Sequence, residues 1–431
     1  MHQARLRWTA LAMIGALLGA APTRAQQLIV WHDKGDDGVR MIQQMGELYA
    51  KDHPGVTFRS VSMPTDQWLS RSIAALNTNT APDVLFNDGF LLVQVQQQTK
   101  KLSDLASQLA QLPVDDRKFL SADDVATATY GGQVLFIPTQ RIIVGWGARK
   151  SWLARIGETF PKTWEDALRV ARKMQDSVPS GSGRKDVYGM AMMGGNPTFM
   201  LDAGVTMLAY GNSVKHAIVD EQGNIVIDQP ENARVLIEYL KLYTQYKVIS
   251  PDTINQLSTD MYQLIEGERV GQFRVGNWNV AKWDKTPPAG DYVIGPFPAI
   301  GSGTSAYVVP ADRGMSVPAN APHAEAAKEF VKFLASKGAQ QISLQNMGGT
   351  IRSDLDTTNI TPGLRPFVSA DAKLQVADNA ITTFPWFAKL HDAYYKLLVA
   401  AIADPPADWD AWVKETAAKL RAEKQALISK G

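Results

Sequence analysis

Four short polar clusters in this chain place charged, amide or aromatic side chains where they could grip a small polar molecule. Trp31-His32-Asp33-Lys34 follows one apolar run and Asn87-Asp88-Gly89 follows another; Thr139-Gln140-Arg141 and Gly276-Asn277-Trp278 come later. A carboxylate such as Asp33 or Asp88 accepts paired hydroxyl hydrogens, while the Lys34 ammonium donates to hydroxyl or ring oxygens. A guanidinium at Arg141 suits an anionic group, or hydroxyls bridged by an acidic partner. The Trp278 indole offers a flat apolar face with a polar edge. This chemistry holds a molecule without transforming it. No HExxH, GxSxG, Walker A or GxGxxG pattern accompanies it, and the histidines at 2, 32, 53, 216, 323 and 391 lack metal-ligand spacing. No cofactor or metal is therefore expected. Acid pairs leave a secreted glycosidase as a remote alternative, although none has a recognisable context.

The elements around these clusters follow a pattern. Gln27 to Trp31 reads as a buried strand, and Val39, Ile42, Met45, Leu48 and Tyr49 recur at helical spacing before His53-Pro54-Gly55. Val56 to Val61 is rich in strand formers, a helix spans Gln67 to Leu76, and Asp83 to Phe86 is a third strand. This alternation predicts a mostly parallel sheet with helices on both faces. Ligands of open α/β sheets sit beyond the carboxyl ends of the strands. The loops after Trp31 and Phe86 are thus the first places for a site. A second unit begins near Arg141; Thr163 with Asp166 three residues on resembles a capping box for a helix from Trp164 to Met174. Further helices are expected near 231–246, 261–267, 324–335, 387–402 and 409–428.

The N-terminus predicts export. Arg5 and Arg7 precede an apolar run from Trp8 to Ala20, and Thr23 and Ala25 put small side chains at the positions a signal peptidase reads. About 13 apolar residues are too few to span a bilayer core of roughly 30 Å. Cleavage after Ala25 removes three arginines from a chain of net charge +1, leaving +1 − 3 = −2. No basic stripe marks a nucleic-acid or membrane surface. With no cysteine there is neither a disulfide nor a lipid-attachment thiol. The expectation is a monomeric protein free in a Gram-negative periplasm.

A series of motifs carries a resemblance through most of the chain: LIVWHDKGDDG, HPGVTF, APDVLF, KLSDL, GGQVLFIPTQRIIVGWGARKSWL, FPKTWEDALRVARKM, FRVGNWNV, YVIGPFPAIG and SVPANAPHAEAAKEFVKFLAS. In this order and spacing they resemble the large family of extracellular solute-binding proteins that includes the maltodextrin binder. The resemblance implies an α/β, two-lobed periplasmic-binding-protein fold, each lobe a helix-covered, mostly parallel sheet. It implies crossing segments near 139–141, 294–295 and 336–344, a first lobe from 26–138 plus 296–336, and a second from 142–293 plus 337–431. It also implies a solute held between the lobes, a carbohydrate or polyol, and delivery to the permease of an ABC importer. A glycerol phosphodiester or polyamine is the alternative within the same fold.

Residue by residue, the resemblance adds roles. Trp278, in GNW, matches the family's sugar platform, with a packed core tryptophan as the plainer reading. His32, Asp33 and Lys34 match a loop that contacts sugar hydroxyls, but two residues closer to the strand; a solvated turn is the alternative. Asn87 stands where the maltodextrin binder has an aromatic, and Asp88 is either a contact or a helix cap. Gln140 and Arg141 lie on the first crossing, where an inter-lobe salt bridge would equally explain Arg141. Asn196, Thr198 and Phe199 match a loop lining the second lobe, and Trp386 resembles a second aromatic platform. Arg313-Gly314-Met315 and Arg352 are weaker candidates.

Overall fold

The computed structural model describes residues 26–177, 186–284, 290–310, 312–369, 372–377 and 384–429. The leader expected at 1–25 lies outside the described residues. Strands β1 (Gln26–His32), β2 (Val56–Ser62) and β3 (Val84–Asp88) alternate with helices α1 (Gly35–Ala50) and α2 (Thr65–Asn77), and α3 (Gly89–Thr99) follows. β1 lies between β2 and β3, parallel to both, with Leu28 opposite Phe58 and Val30 opposite Val84. Leu28, Val30, Val84, Leu85 and Phe86 are fully buried, as the central strands of a helix-covered parallel sheet require. α1 buries Ile42, Met45 and Tyr49 of the expected stripe and adds Met41, while Val39 and Leu48 at its edges are only half-buried.

A short hairpin, β4 (Thr129–Tyr130) with β5 (Gln133–Val134), leads into β6 (Ile137–Arg141). Then come β7 (Val144–Ala148), β8 (Tyr188–Ala191), β9 (Val270–Gly276), β10 (Val293–Gly295), β11 (Tyr307–Val309), β12 (Asp312–Ser316) and β13 (Leu374–Val376). Two sheets result. The first runs β2-β1-β3-β12-β6; the second runs β13-β11-β7-β9-β8, with β10 also on β7. The parallel direction holds for β2-β1-β3, whereas β12 is antiparallel to both its neighbours, and β7 is antiparallel to β9, β10 and β11. Each sheet has its own core: Phe86, Phe136 and Phe330 in the first lobe, and Trp146, Trp164 and Tyr239 in the second. Thr163 accepts from the Asp166 amide at 3.1 Å, opening the helix Trp164–Ser177 as its capping pattern predicts.

Sheet membership locates the passages between lobes. β6 closes at Arg141 in the first sheet and β7 opens at Val144 in the second, so the first passage is Ile142–Ile143, directly after the expected segment. The expected passage at 294–295 is corrected: Ile294 and Gly295 pair with Gly147 and Trp146 inside the second sheet. The chain stays there through β11 and reaches the first sheet only between Val309 and Asp312. Residues 296–309 thus belong to the second lobe. A strand can flank β7 without leaving its sheet, which the sequence of YVIGP does not reveal. The helix Lys337–Met347, expected in the second lobe, puts Ala339 and Met347 into the first core and only Leu344 into a second-lobe cluster. It ends on Gly348 at φ +69°, a left-handed position that suits glycine.

Candidate ligand-binding site between the lobes

The ends of β1, β3 and β12 bring five candidate side chains together: Asp33, Lys34, Asn87, Asp88 and Arg313. Gly35, at φ +57°, turns the chain out of β1 and sends Lys34 back across the sheet edge. The Lys34 ammonium lies 2.7 Å from Asp33, 3.3 Å from Asp88 and 2.7 Å from the Asn87 side-chain oxygen. Asp88 also receives the Arg313 Nε at 2.5 Å. Burial alone would raise the Asp88 carboxyl, but Lys34 and Arg313 outweigh it and hold the pKa at about 2. Asp88 precedes α3, yet its side chain makes no cap bond, so the helix-cap alternative does not account for it. Asn87 is fully buried, and its Nδ2 donor has no partner among the described residues.

Across from this group stands Trp278, in the helix Asn277–Trp283 that opens at the end of β9. Its ring folds back over Gly276, where an added Cβ would lie 2.0 Å from the indole; any larger residue would displace the ring. The Arg313 guanidinium, from the first lobe, approaches the ring centre to 5.3 Å, and Arg274, from the second, to 5.9 Å. Trp278 Nε1 lies 3.4 Å from the Tyr262 hydroxyl. Trp278 is only half-buried, with part of its surface packed against the second-lobe core. Gln140 joins from β6: its Oε1 is 3.5 Å from Arg313 and its Nε2 donates to Ser343 at 2.9 Å.

Other candidates serve the frame. His32 is fully buried, bonded through Nε2 to Ser60 at 2.6 Å and accepting the Lys34 amide on Nδ1 at 3.0 Å. It sets the Lys34 loop without reaching the cleft. Asn277 spends its side chain on backbone, donating to Arg141 O and Gly348 O at 3.0 Å each and accepting from Ile143 N at 3.3 Å. It staples the first passage to the segment after the Lys337–Met347 helix. Arg141 pairs with Asp124 at 2.5 Å within the first lobe, so the bridge anticipated between lobes is intra-lobe. Asn196 accepts the Phe199 amide at 2.9 Å, Thr198 is exposed, and Phe199 packs on a second-lobe core cluster. Trp386 stacks on Phe384 at 5.0 Å beneath Lys424 of the Trp409–Ser429 helix. None of these last four contacts the Lys34–Asp88–Arg313–Trp278 group among the described residues.

A model of the bacterial extracellular solute-binding proteins matches residues 35–341, more than half of the chain. This chain belongs to that family. The family comprises solute-binding proteins of transport systems, and the match implies an exported protein. "Putative ABC transporter periplasmic-binding protein YcjN" of Escherichia coli (strain K12) is 23% identical over 207 residues, 47% of this chain and 45% of that protein, so the match spans under half the length of that relative. Among solved structures, a solute-binding protein from Thermotoga lettingae bound with α-D-tagatose superposes with TM-score 0.75 at 18% identity, covering 92% of this chain and 99% of that one. Lmo0181 of Listeria monocytogenes in complex with cycloalternan gives 0.73 at 15% identity, with 93% and 99% covered. Maltose-bound MalE3 of T. maritima gives 0.71 at 18%, with 92% and 99% covered. These likenesses establish the two-lobed fold. Among the described residues no helix is long and apolar enough to cross a membrane.

For this solute-binding protein, sequence reading placed Arg313 only among weak candidates and missed Arg274 and Tyr262. No local motif marks them; β12 pairing, which sets Arg313 opposite both Asp88 and Gln140, is a long-range fact. Side chains alternate across that ladder. Arg313 faces Trp278 and Gln140 lies on the same side against Arg313 and Ser343, while Arg141 and Asp312 face the opposite side, where Asp124, Thr127 and Leu374 help line a cavity of about 200 Å³.

Two ionisable groups give pH tests. Burial lowers His32 to about 4 from an ordinary 6.5, so it stays neutral in the fold while the unfolded chain protonates. Its contribution is complete above pH 6.5 and is lost as the pH falls toward 4, about 3 kcal/mol over 2.5 units. The unfolding free energy from urea denaturation should fall from pH 7 to pH 4 by that much more in the wild type than in His32→Gln. Asp312 behaves oppositely: burial and the neighbouring Asp124 raise it to about 8. Its stabilising effect is present below the ordinary carboxyl range and is lost as the pH rises through about 8. Asp312→Asn, which keeps an acceptor for Thr127, should therefore gain about 1 kcal/mol or more at pH 8 and change little at pH 4. A loss of stability at pH 8 would show that the ionised form is the native one.

Proposed function

We propose that this solute-binding protein captures a carbohydrate between its lobes and delivers it to the membrane permease of an ABC importer. The observation that carries the reading is the opposition of Trp278 on the second lobe to the Arg313–Asp88–Lys34 group on the first. A pyranose presents an apolar C–H face and a rim of hydroxyls, which fits an indole on one wall and fixed donors and acceptors on the other. Carbohydrate-bound proteins of the same fold support it, among them those solved with tagatose, maltose and cycloalternan. The site works by closure: a solute touching both walls stabilises the closed arrangement more than the open one. The working form is a periplasmic monomer released from its leader, without a cofactor.

The test is a thermal-shift screen of mono-, di- and trisaccharides, polyols, phosphodiesters and polyamines on the purified mature chain. A saccharide or polyol that raises the melting temperature dose-dependently, with stoichiometric binding and no product, upholds the reading. A response confined to phosphodiesters or polyamines sinks it. Small-angle scattering should show compaction with the saturating ligand; an unchanged radius of gyration would refute closure.

A further inference from the structure

We infer that the solute is an acidic carbohydrate whose carboxylate is held by Arg274 beside Trp278. This rests on the carbohydrate reading and narrows it to a substrate class. The argument begins with the cations of the site. Lys34 has Asp33 and Asp88, Arg313 has Asp88, and Arg141 on the far face has Asp124. Arg274 has no ion pair and no hydrogen bond among the described residues, and its Nε is buried. What surrounds it is the Trp278 ring at 5.9 Å, with Tyr262 close by.

A buried guanidinium can be purely structural, and the same sheet shows what that looks like. Arg149, fully buried, gives its Nε to Val270 O at 3.0 Å and an Nη to Ile265 O, and its Nη1 lies 3.8 Å from the Asp291 carboxylate, so carbonyls and an acid of the fold answer it. Arg274 sits on the strand that starts at Val270, yet among the described residues no carbonyl or carboxylate answers it, only the face of the Trp278 ring. Arg274 as a residue is only partly buried, but its Nε is withdrawn from solvent without an acceptor, which costs free energy unless another molecule supplies one. The charge count agrees. Lys34, Arg313 and Arg274 bring three positive charges and Asp33 and Asp88 two negative ones, leaving an excess of one, while His32 is neutral in the fold. A neutral sugar would leave that excess in a closed, water-poor cleft. A uronate balances it with one charge and can accept the bidentate fork of an arginine. A phosphate would carry nearly two charges into a site with one to spare.

The experiment is calorimetry on the full mature chain with matched pairs: glucuronate and galacturonate, free and in di- and trisaccharides, against glucose and galactose counterparts, with glucose 6-phosphate and acetate as further probes. The expected result is that a uronate ligand binds at least about tenfold tighter than its neutral counterpart, and that Arg274→Gln brings the uronate-to-neutral affinity ratio down to about one. A readout independent of ligand identity accompanies it. Because the cation is unpaired, ligand-free Arg274→Gln and Arg274→Met should melt at or above the wild-type temperature, whereas loss of a structural arginine would lower it in both. The inference is overturned if neutral sugars bind as tightly as their acids, if glucose 6-phosphate is preferred to glucuronate, or if both variants melt lower. Binding of a neutral sugar alone refutes the acidic ligand and upholds the proposed function. Silence across the whole carbohydrate set with a response to acetate refutes the function instead, and silence to every probe counts against both.

Discussion

Replacing Asp88 with alanine should destabilise the ligand-free protein by about 2–3 kcal/mol and abolish tight solute binding. The stability figure follows from the carboxyl being held at about 2 instead of 3.8, a shift of 3.8 − 2 = 1.8 units. The loss of a shared anion between two cations pushes in the same direction. Lys34 keeps Asp33 and Asn87, but Arg313 keeps the longer contact to Gln140 and the face of Trp278, with no carboxylate. The sign with pH is fixed: a depressed carboxyl contributes fully above pH 3.8 and loses that contribution as the pH falls toward 2. Urea denaturation at pH 7 checks the size, and the difference between wild type and Asp88→Ala should shrink in acid. A variant as stable as the wild type at pH 7 would mean that Asp88 does not organise Lys34 and Arg313. Binding is expected to fail because Arg313, released from Asp88, no longer stands fixed over Trp278.

Trp278→Ala should weaken binding of the cognate carbohydrate by about 1–3 kcal/mol, the scale of a lost buried aromatic face. Its cost to the unliganded fold should be smaller than for a sealed core tryptophan, because the ring is only half-buried. Calorimetry with the ligand found by screening, alongside the melting temperature without ligand, separates the two effects. Unchanged affinity in a folded variant would remove Trp278 from the site. Gly276→Ala is the companion test, since its methyl group would collide with the indole and should reproduce much of the loss without deleting the ring.

Much of this site was legible because it stands at the ends of short-range signals. The apolar runs of β1 and β3 are visible in the sequence, and in a parallel sheet the residues following such strands share one edge. That suffices to bring Asp33, Lys34, Asn87 and Asp88 together. Arg313 depends on a pairing 225 residues away in the chain, which no local pattern encodes. The faces of Gln140 and Arg141 depend on register, because one residue of slip exchanges them. Asn277 and His32 are polar residues near a cleft, and only their bonding partners reveal that both are spent on backbone or frame. Trp386 stands apart from the group for a related reason: an aromatic late in the chain can cover a helix as readily as a ligand, and here it lies against Phe384 and Lys424. The misplaced second passage reflects a strand signal too short to say which sheet it joins.

The passages between lobes also have a consequence for anyone reshaping this molecule. Gln140 lies two residues before Ile142, and Arg313 immediately follows Asp312, where the chain re-enters the first sheet. Gly349 comes so close to Gln140 that an added Cβ would stand 3.0 Å from it. The segments expected to bend during closure are thus the same strands that hold the proposed ligand contacts. Specificity and mechanical compliance share one set of residues, and a library built at these positions would vary both at once. Separating them calls for substitutions on the far face of the ladder, at Asp312 or Asp124, where packing at the passage can be altered while the ligand-facing wall stays intact.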